Sequence, residues 1–532
     1  MRLGQLLNCL KADHEYNPVL EISGPGQDPE IGSIQYNSRM IRPSGLFVAI
    51  KGNTVDGHKF VESAIKNGAA AIVVEDPAQV SEQVAVIRVR DSRRALANLA
   101  AAFFGHPSEK LKLAGVTGTN GKTTVTYYAE TLLSGAGFKV GVVGTVNCRW
   151  PGHVTNSNVT TPESLDLQRD LAKMVEAGVT HAVIEVSSHA LTQSRAAFCH
   201  FDVGVFTNIT RDHLDYHKDM ETYFQAKRIL FADLLAASSK KQKTAVINLD
   251  DPKGGILCRE SSVPVLCTGL TEGCNIHSIE VKAGVDGLEG IIETPAGDVA
   301  FKSRAVGRHN LYNLMSAAGI GLAFGLGLEE VEMGLNLTSN VPGRLEKIEN
   351  SLGRHVFVDY AHTPDALENV LEALKRVATS KIITVFGCGG DRDKGKRPKM
   401  GAAAARNSDL VVVTSDNPRS EDPEAIIDDI VAGISGEGAQ RLNASYCMMC
   451  SRKTAFMVEP DRRSAILVAI MSSSPGDMVL IAGKGHETYQ VVKNKKFAFD
   501  DRVEARNALE CLGRNVKTRQ EGPIPGEYVN FR

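Results

Sequence analysis

Apolar residues along this chain come in short continuous runs separated by polar, glycine-bearing turns. "GLFVAI" from Gly45 and "AAAIVVE" from Ala69 read as strands, and "HKFVESAIKNG" between them predicts a helix closed by Gly68. These make a small α/β unit. After the polar, proline-containing connector "FGHPSEKLK" the strands "KLAGVTG", "KVGVVGT", "THAVIEVSS", "VGVFTNI" and "KTAVINLD" lack alternation, the mark of strands buried on both faces of a parallel sheet. A doubly wound central domain follows from strands and helices in that repeating order. Hairpin-like alternation in "GLEGIIETPAGDVAFKSR" and a helix rich in small residues, "GRHNLYNLMSAAGIGLAFGLG", complete it. Past "SNVPGRLE", where Pro342 and Gly343 mark a linker, "HVFVDYA", "KIITVFG", "DLVVVTSD" and "DMVLIAGKG" supply the strands of a third α/β domain. The expected domains are residues 1–108, 109–340 and 341–515, with 516–532 a tail.

Composition changes this picture little. A chain of 532 residues exceeds the roughly 250–300 at which one core stops growing, which agrees with three domains. With 43% hydrophobic and 23% charged residues it is an ordinary soluble protein. Sixty basic against 62 acidic residues, a net charge of -2, create no field for nucleic acid or an anionic membrane, so neither partner is expected and anions must be held locally. The N-terminus is too short and too polar for a signal peptide, and no segment reaches the length of a membrane span, so a cytoplasmic protein without membrane insertion is expected, as a monomer. Ten cysteines in a chain this long suggest reduced thiols. The Cys447 to Cys450 pair in "CMMC" is either incidental or a metal or redox site.

The candidate chemistry begins at "AGVTGTNGKTTVTYYAETLL". A strand, a glycine turn and a helix aim backbone N–H groups and a helix dipole at one point, as a polyphosphate requires. The loop comprises Gly118, Thr119, Asn120, Gly121, Lys122, Thr123 and Thr124; Lys122 can reach the outer phosphates and the Thr123 hydroxyl can ligate Mg²⁺. A strict P-loop would have glycine where Val116 stands, so this is a variant form. Mg²⁺ takes hard oxygen ligands, and Glu185, near the end of a buried strand, is costly there unless it meets a cation. Asp212, His213, Asp215 and His217 follow the "VGVFTNI" strand and should emerge at the same carboxyl edge, the usual ligand site of open α/β folds, or else form a solvated loop. On its own, Lys227 reads as a surface lysine of a helix.

Taken in order, "GVTGTNGKTT", "VIEVSSHAL", "TNITRDHLDYH", "YFQAKRILF", "GRHNLYNLMSAAG", "VPGRLE", "VDYAHTPDAL", "GGDRDKGKRPKM", "SDNPRSEDP" and "GKGHETYQ" closely resemble the Mur ligases over nearly the whole chain. The resemblance implies an N-terminal α/β domain for a nucleotide sugar, a central P-loop domain and a C-terminal Rossmann-like domain. It further implies an ATP-dependent amide ligase of peptidoglycan synthesis. In this family the γ-phosphate passes to a substrate carboxylate, and an amino acid amine attacks the resulting acyl phosphate.

The same resemblance assigns residues. Lys122, His213 and Lys227 become catalytic; Glu185 and His213 match magnesium ligands beside Thr123. Lys227 matches a carbamylated lysine whose carbamate positions a second Mg²⁺. His309 and Asn310 match the adenine segment, and Arg344 and Asp359 nucleotide positions beyond it. Ser38 matches a contact to the uridine diphosphate, and Thr160, Thr161, Ser187, Gln193 and Arg195 contacts to the muramoyl dipeptide. Asp416, Asn417, Pro418 and Arg419 form the "DNPR" signature of members that add meso-diaminopimelate, with Arg419 the expected clamp on its distal carboxylate. Arg392, Gly483 and Glu487 complete that pocket, Glu487 facing the distal ammonium. Alternatives are a lysine-adding member, which "DNPR" disfavours, a folylpolyglutamate synthase, whose folate site would leave "DNPR" and the Ser38 segment unexplained, and a module that merely senses ATP.

Overall fold

The computed structural model describes residues 1–520 apart from 25–27, 53–54, 77–83, 272, 443–453 and 494, with the backbone alone at 215 and 515–520. Cys447 and Cys450 lie outside the described residues. The chain divides into two compact units, one of Met1–Ile279, Ile291–Ala300 and Tyr312–Leu337, the other of Glu280–Gly290, Phe301–Leu311 and Thr338–Arg532.

The first unit opens with a five-stranded sheet in the spatial order Val19–Ser23, Ala85–Val89, Ala69–Val74, Gly45–Val48, Ser33–Gln35. Only the first pair is antiparallel. Helix Leu3–Ala12 buries Leu3, Leu6 and Leu10, one stripe at helical spacing. Asp91 caps helix Ser92–Phe103 by accepting from the N–H groups of Arg93 and Arg94, and Leu96, Leu99 and Ala100 join the same core.

The larger sheet of this unit runs Val265–Gly269, Thr244–Asn248, Val203–Phe206, Lys112–Thr117, His181–Glu185, Val140–Val143, all parallel. A hairpin, Asn147–Trp150 and His153–Asn156, then continues it antiparallel. Lys112–Thr117 is the earliest of the parallel strands in the chain yet sits in the middle, between His181–Glu185 and Val203–Phe206. The order reverses there, and in open α/β sheets ligands bind outside the carboxyl ends of the strands at such a point. The phosphate loop, Glu185 and residues 207–217 lie at those ends.

The second unit holds a seven-stranded sheet ordered Glu346–Ile348, His355–Asp359, Met478–Ala482, Ile382–Phe386, Leu410–Val413, Ala455–Val458, Gln440–Arg441, antiparallel only at its first pair. Period-two alternation divides its side chains between two cores: Phe357, Phe386, Val411 and Leu480 in one, Val356, Val358, Val412 and Ile481 in the other. That is why the inner strands carry apolar residues at successive positions rather than alternating ones.

Hydropathy missed several elements. Val19–Ser23 is mostly exposed, Ser33–Gln35 is short, and the hairpin Tyr489–Val492 with Lys495–Ala498 buries nothing fully, so none carries an apolar run. The final helix, Asp501–Gln520, continues past residue 515 into the stretch read as tail.

Candidate active site

Strand Lys112–Thr117 delivers the chain into the glycine turn, and helix Lys122–Gly135 starts immediately after it. Gly118, at φ 150°, and Gly121, at φ 88°, use the left-handed region, and a Cβ on Gly118 would lie 1.8 Å from Thr207 Oγ1. The loop is pinned by the segment after strand Val203–Phe206. Thr207 Oγ1 donates to Asn120 O at 2.6 Å, the Thr119 N–H to Asn208 O at 2.8 Å, and the Asn120 N–H to Asn208 Oδ1 at 3.0 Å. Lys122 Nζ donates to Gly118 O and Thr119 O, both at 2.8 Å, so the ammonium sits over its own loop. Thr124 is buried in the helix's first turn.

Glu185 ends its strand 1% exposed. Thr123 Oγ1 donates to Glu185 Oε2 at 3.0 Å, and the Thr145 hydroxyl and N–H donate to the same carboxylate at 2.8 and 2.9 Å. Thr145 and Gly144, on which a Cβ would fall 2.3 Å from Glu185 Oε1, were not expected from the sequence. A hydroxyl and a carboxylate side by side at the mouth of a phosphate loop are the hard oxygen donors Mg²⁺ prefers.

Lys227, in the last turn of helix Met220–Ile229, is 1% exposed, not the surface lysine its helix position alone suggested. Burial, then the neighbouring charge of Lys122, holds its amine well below the usual lysine range, with Asp212 opposing. The helix runs on into a π-helical turn, Leu230–Leu235. Tyr223, also unexpected, gathers the site: its hydroxyl lies 3.1 Å from Thr119 Oγ1, Lys227 Nζ lies 4.3 Å from its ring centroid, and His213 and His217 pack against it. His213 is exposed at φ 53° with Nε2 3.4 Å from Asp212 Oδ2. His217 instead turns inward, 2% exposed, 2.9 Å from Ser188 Oγ, so the carboxyl-edge segment is only partly a solvated loop.

The residues expected to meet the dipeptide form one network. Thr161 Oγ1 donates to Glu185 O at 2.7 Å and accepts from the Ser187 N–H at 3.1 Å. Arg195 donates to Thr161 O at 3.0 Å and to Gln193 Oε1 at 2.6 Å, and Thr160 Oγ1 lies 3.1 Å from Thr145 Oγ1. Ser38 is buried at the start of a 3₁₀ turn in the first sheet's domain, its carbonyl accepting from Asn67.

In the second unit His309 and Asn310 open helix Arg308–Phe324, His309 exposed and Asn310 buried with Nδ2 donating to Val306 O at 2.8 Å. Asp359 accepts from the N–H groups of Leu345 and Ala361 at 2.6 and 2.7 Å; burial raises its pKa against the pull of Arg344. The Arg344 guanidinium lies 4.6 Å from the Tyr360 ring centroid.

The "DNPR" segment follows strand Leu410–Val413, with Asp416 and Asn417 buried. Arg419, at φ 51°, donates through Nη1 to Gly390 O at 2.6 Å, and its N–H to Val491 O at 3.0 Å. Pro418 O packs so closely on Gly390 that a Cβ there would lie 1.9 Å away. A Cβ on Gly389 would fall 2.9 Å from Arg419 Nη1 and 3.9 Å from Arg392 Cγ, so both arginines come close to that glycine. Glu487 Oε2 accepts from Asn417 Nδ2 at 2.9 Å. Gly483 sits at φ 116°, and a Cβ on it would lie 3.7 Å from Asp416 Oδ2.

Comparison with known proteins identifies the family. The Mur ligase family catalytic domain matches residues 30–104, the Mur ligase middle domain 116–321, and the Mur ligase glutamate ligase domain 343–485. A Geobacter metallireducens protein named UDP-N-acetylmuramoyl-L-alanyl-D-glutamate–2,6-diaminopimelate ligase is 48% identical over 91% of this chain and 95% of its own. A Gloeobacter violaceus protein of the same name is 46% identical over 96% of this chain and 98% of its own. A solved structure with that name superposes with a TM-score of 0.66 at 30% identity, covering 95% of this chain and 99% of its own. A Thermotoga maritima MurF ligase in complex with ADP, at 21% identity and a TM-score of 0.59, shares the fold over 92% of this chain and 99% of its own. The chain belongs to the Mur ligase family.

Proposed function

We propose that this protein is a cytoplasmic, monomeric, ATP-dependent ligase that joins meso-diaminopimelate to UDP-N-acetylmuramoyl-L-alanyl-D-glutamate in peptidoglycan synthesis. Residues 1–108 would hold the uridine diphosphate end, with Ser38 at its contact, residues 109–340 ATP and the dipeptide, and residues 341–515 the amino acid. The observation that supports the choice of amino acid is that Arg392 and Arg419 both come close to Gly389, with Glu487 held by Asn417 of the same loop as Arg419. A guanidinium pair and a carboxylate suit a ligand that carries both a second carboxylate and a second ammonium.

The loop N–H groups of residues 118–124 would bind the outer phosphates, with Lys122 placed over them to take up charge as it spreads on the γ-phosphoryl oxygens. His309, Asn310, Arg344 and Asp359 would serve the rest of the nucleotide. Thr161, Ser187 and Arg195, tied to one another, would orient the dipeptide so that its terminal carboxylate oxygen takes the phosphoryl group, releasing ADP. The diaminopimelate amine then attacks the acyl carbon; phosphate leaves, and the amine proton goes to solvent. Mg²⁺, when bound, supplies charge neutralisation, and Thr123, Glu185 and His213 would hold it. The neutral amine favoured at Lys227 is the form that can add CO₂, losing a proton to solvent, and the carbamate would place a negative charge beside Lys122.

The test is ADP release with Mg²⁺, ATP and the nucleotide dipeptide, comparing meso-diaminopimelate with L-lysine. Release that depends on diaminopimelate is expected; preference for lysine would keep the ligase and overturn the clamp, and release without either amino acid would overturn the reaction.

A further inference from the structure

Lys484, between Gly483 and Gly485, is 0% exposed. Its ammonium has three N–H donors and meets three acceptors: Asn417 Oδ1 at 3.1 Å, Asp416 Oδ1 at 3.3 Å and Glu487 Oε2 at 3.3 Å. These belong to two segments far apart in the chain, the loop after Leu410–Val413 and the turn after Met478–Ala482. Side chain–backbone bonds hold the same loop to the strand that follows the turn: the Val491 N–H donates to Asn417 Oδ1 at 2.9 Å and Gln490 Nε2 to Asp416 O at 2.7 Å. The glycines make room for this. Gly483 sits at φ 116°, and a Cβ on Gly485 would come within 2.7 Å of Tyr360 Cβ and 2.8 Å of Gly343 O.

The charge count matters. One ammonium lies among two carboxylates, so the cluster keeps a net charge of -1. Arg462, which makes no hydrogen bond to the cluster, is paired with Asp501 in a fully buried ion pair at 2.7 Å and feels Asp416 and Glu487 only through space. Glu487 Oε2 is shared between Asn417 Nδ2 and Lys484 Nζ, which fixes the carboxylate's orientation.

We propose that Lys484 is a positioning residue of the amino-acid pocket: its ammonium locks Glu487 and the Asp416–Asn417 turn into one constellation whose remaining negative charge takes an ammonium group of the incoming amino acid. The inference rests on the function proposed above. A buried ammonium with a complete set of acceptors holds both segments; removing it leaves two carboxylates close together without a counter-ion and lets Glu487 swing.

The experiment is steady-state kinetics of the full chain with Lys484→Met, Lys484→Gln and Lys484→Arg, varying each substrate in turn. In the two neutral variants the KM for diaminopimelate should rise by about thirty-fold or more, while the KM values for ATP and the nucleotide dipeptide stay within about twofold. Lys484→Arg, which restores the charge in a different shape, should lie between them and the wild type. A KM for diaminopimelate equal to the wild type's in either neutral variant overturns the inference, as does an equal rise in all three KM values, which would mark a merely structural residue. If neither neutral variant folds, Lys484→Arg decides: a rise confined to diaminopimelate supports the role, and an unchanged or uniform response overturns it. A wild-type enzyme that ignores diaminopimelate would instead overturn the functional reading and this inference with it.

Discussion

Glu185 and Glu487 are both carboxylates at the carboxyl ends of parallel sheets, and they are held in opposite ways. Glu185 is bound by neutral donors, the hydroxyls of Thr123 and Thr145 and the Thr145 N–H. Glu487 is bound by a charged one, the Lys484 ammonium, together with the Asn417 amide. Neutral donors orient a carboxylate without cancelling its charge, which suits a site that receives a cation with each turnover. An internal counter-ion cancels part of the charge and makes the geometry rigid, which suits discrimination between similar ligands. On the function proposed above, the first region would serve chemistry and the second selection, and substitutions should separate kcat from KM accordingly.

The largest effect belongs to the first region. Lys122→Met should lower kcat for ADP release by about 10³-fold or more, with diaminopimelate binding unaltered in a direct titration; a loss of similar size in diaminopimelate affinity would erase the distinction between the regions. Lys227→Ala should cost about a hundredfold in kcat and recover part of it when short carboxylic acids are added. Full activity without such acids would sink the carbamate reading. Because burial and Lys122 lower the Lys227 pKa, its neutral form should persist well below the usual lysine range.

How much of this was legible in the sequence differs between the same two regions. The phosphate loop is contiguous, so "GTNGKTT" displays strand, glycines, lysine and hydroxyl in register, and its location was readable directly. Its supports were not: Thr207 and Asn208 come from another strand, and nothing in "TNIT" alone indicates that it pins the loop. Lys227 shows the limit most plainly, since a lysine four residues after Tyr223 carries no local sign that both face the interior. In the proposed amino-acid pocket the sequence points to Gly483 and Glu487 of "GKGHE" but not to Lys484 between them, because nothing local to a lysine flanked by glycines shows that its ammonium is buried among Asp416, Asn417 and Glu487. The parallel strands were legible because two-sided burial favours apolar residues at successive positions, whereas the mostly exposed edge strand Val19–Ser23 carries no such run.

The second region should respond in KM. Arg419→Ala should raise the diaminopimelate KM by the equivalent of about 2 to 5 kcal/mol, roughly thirty-fold upward, leaving the ATP KM in place. Isotherms with ATP and with diaminopimelate would check both halves, and an unchanged diaminopimelate affinity would remove Arg419 as the clamp.

The smallest effect sharpens the comparison through pH. His486 follows Gly485 in the same turn as Lys484 and Glu487, 5.2 Å from the Tyr360 ring, and burial together with the charges of Arg344 and Arg502 pushes its pKa down from 6.5 to about 3. The folded protein thus keeps this imidazole neutral where the unfolded chain protonates it. Between about pH 3 and 6.5 the unfolded state binds more protons, so stability rises with pH across that window and this contribution is lost as pH falls toward 3. His486→Gln removes the titrating group, so the Tm of the variant should fall less steeply than the wild type's from pH 6.5 toward acid. Parallel Tm profiles for the two proteins would mean that His486 takes up its proton in the folded state as readily as in the unfolded one, and the second region would then lack the closed interior that keeps this imidazole neutral.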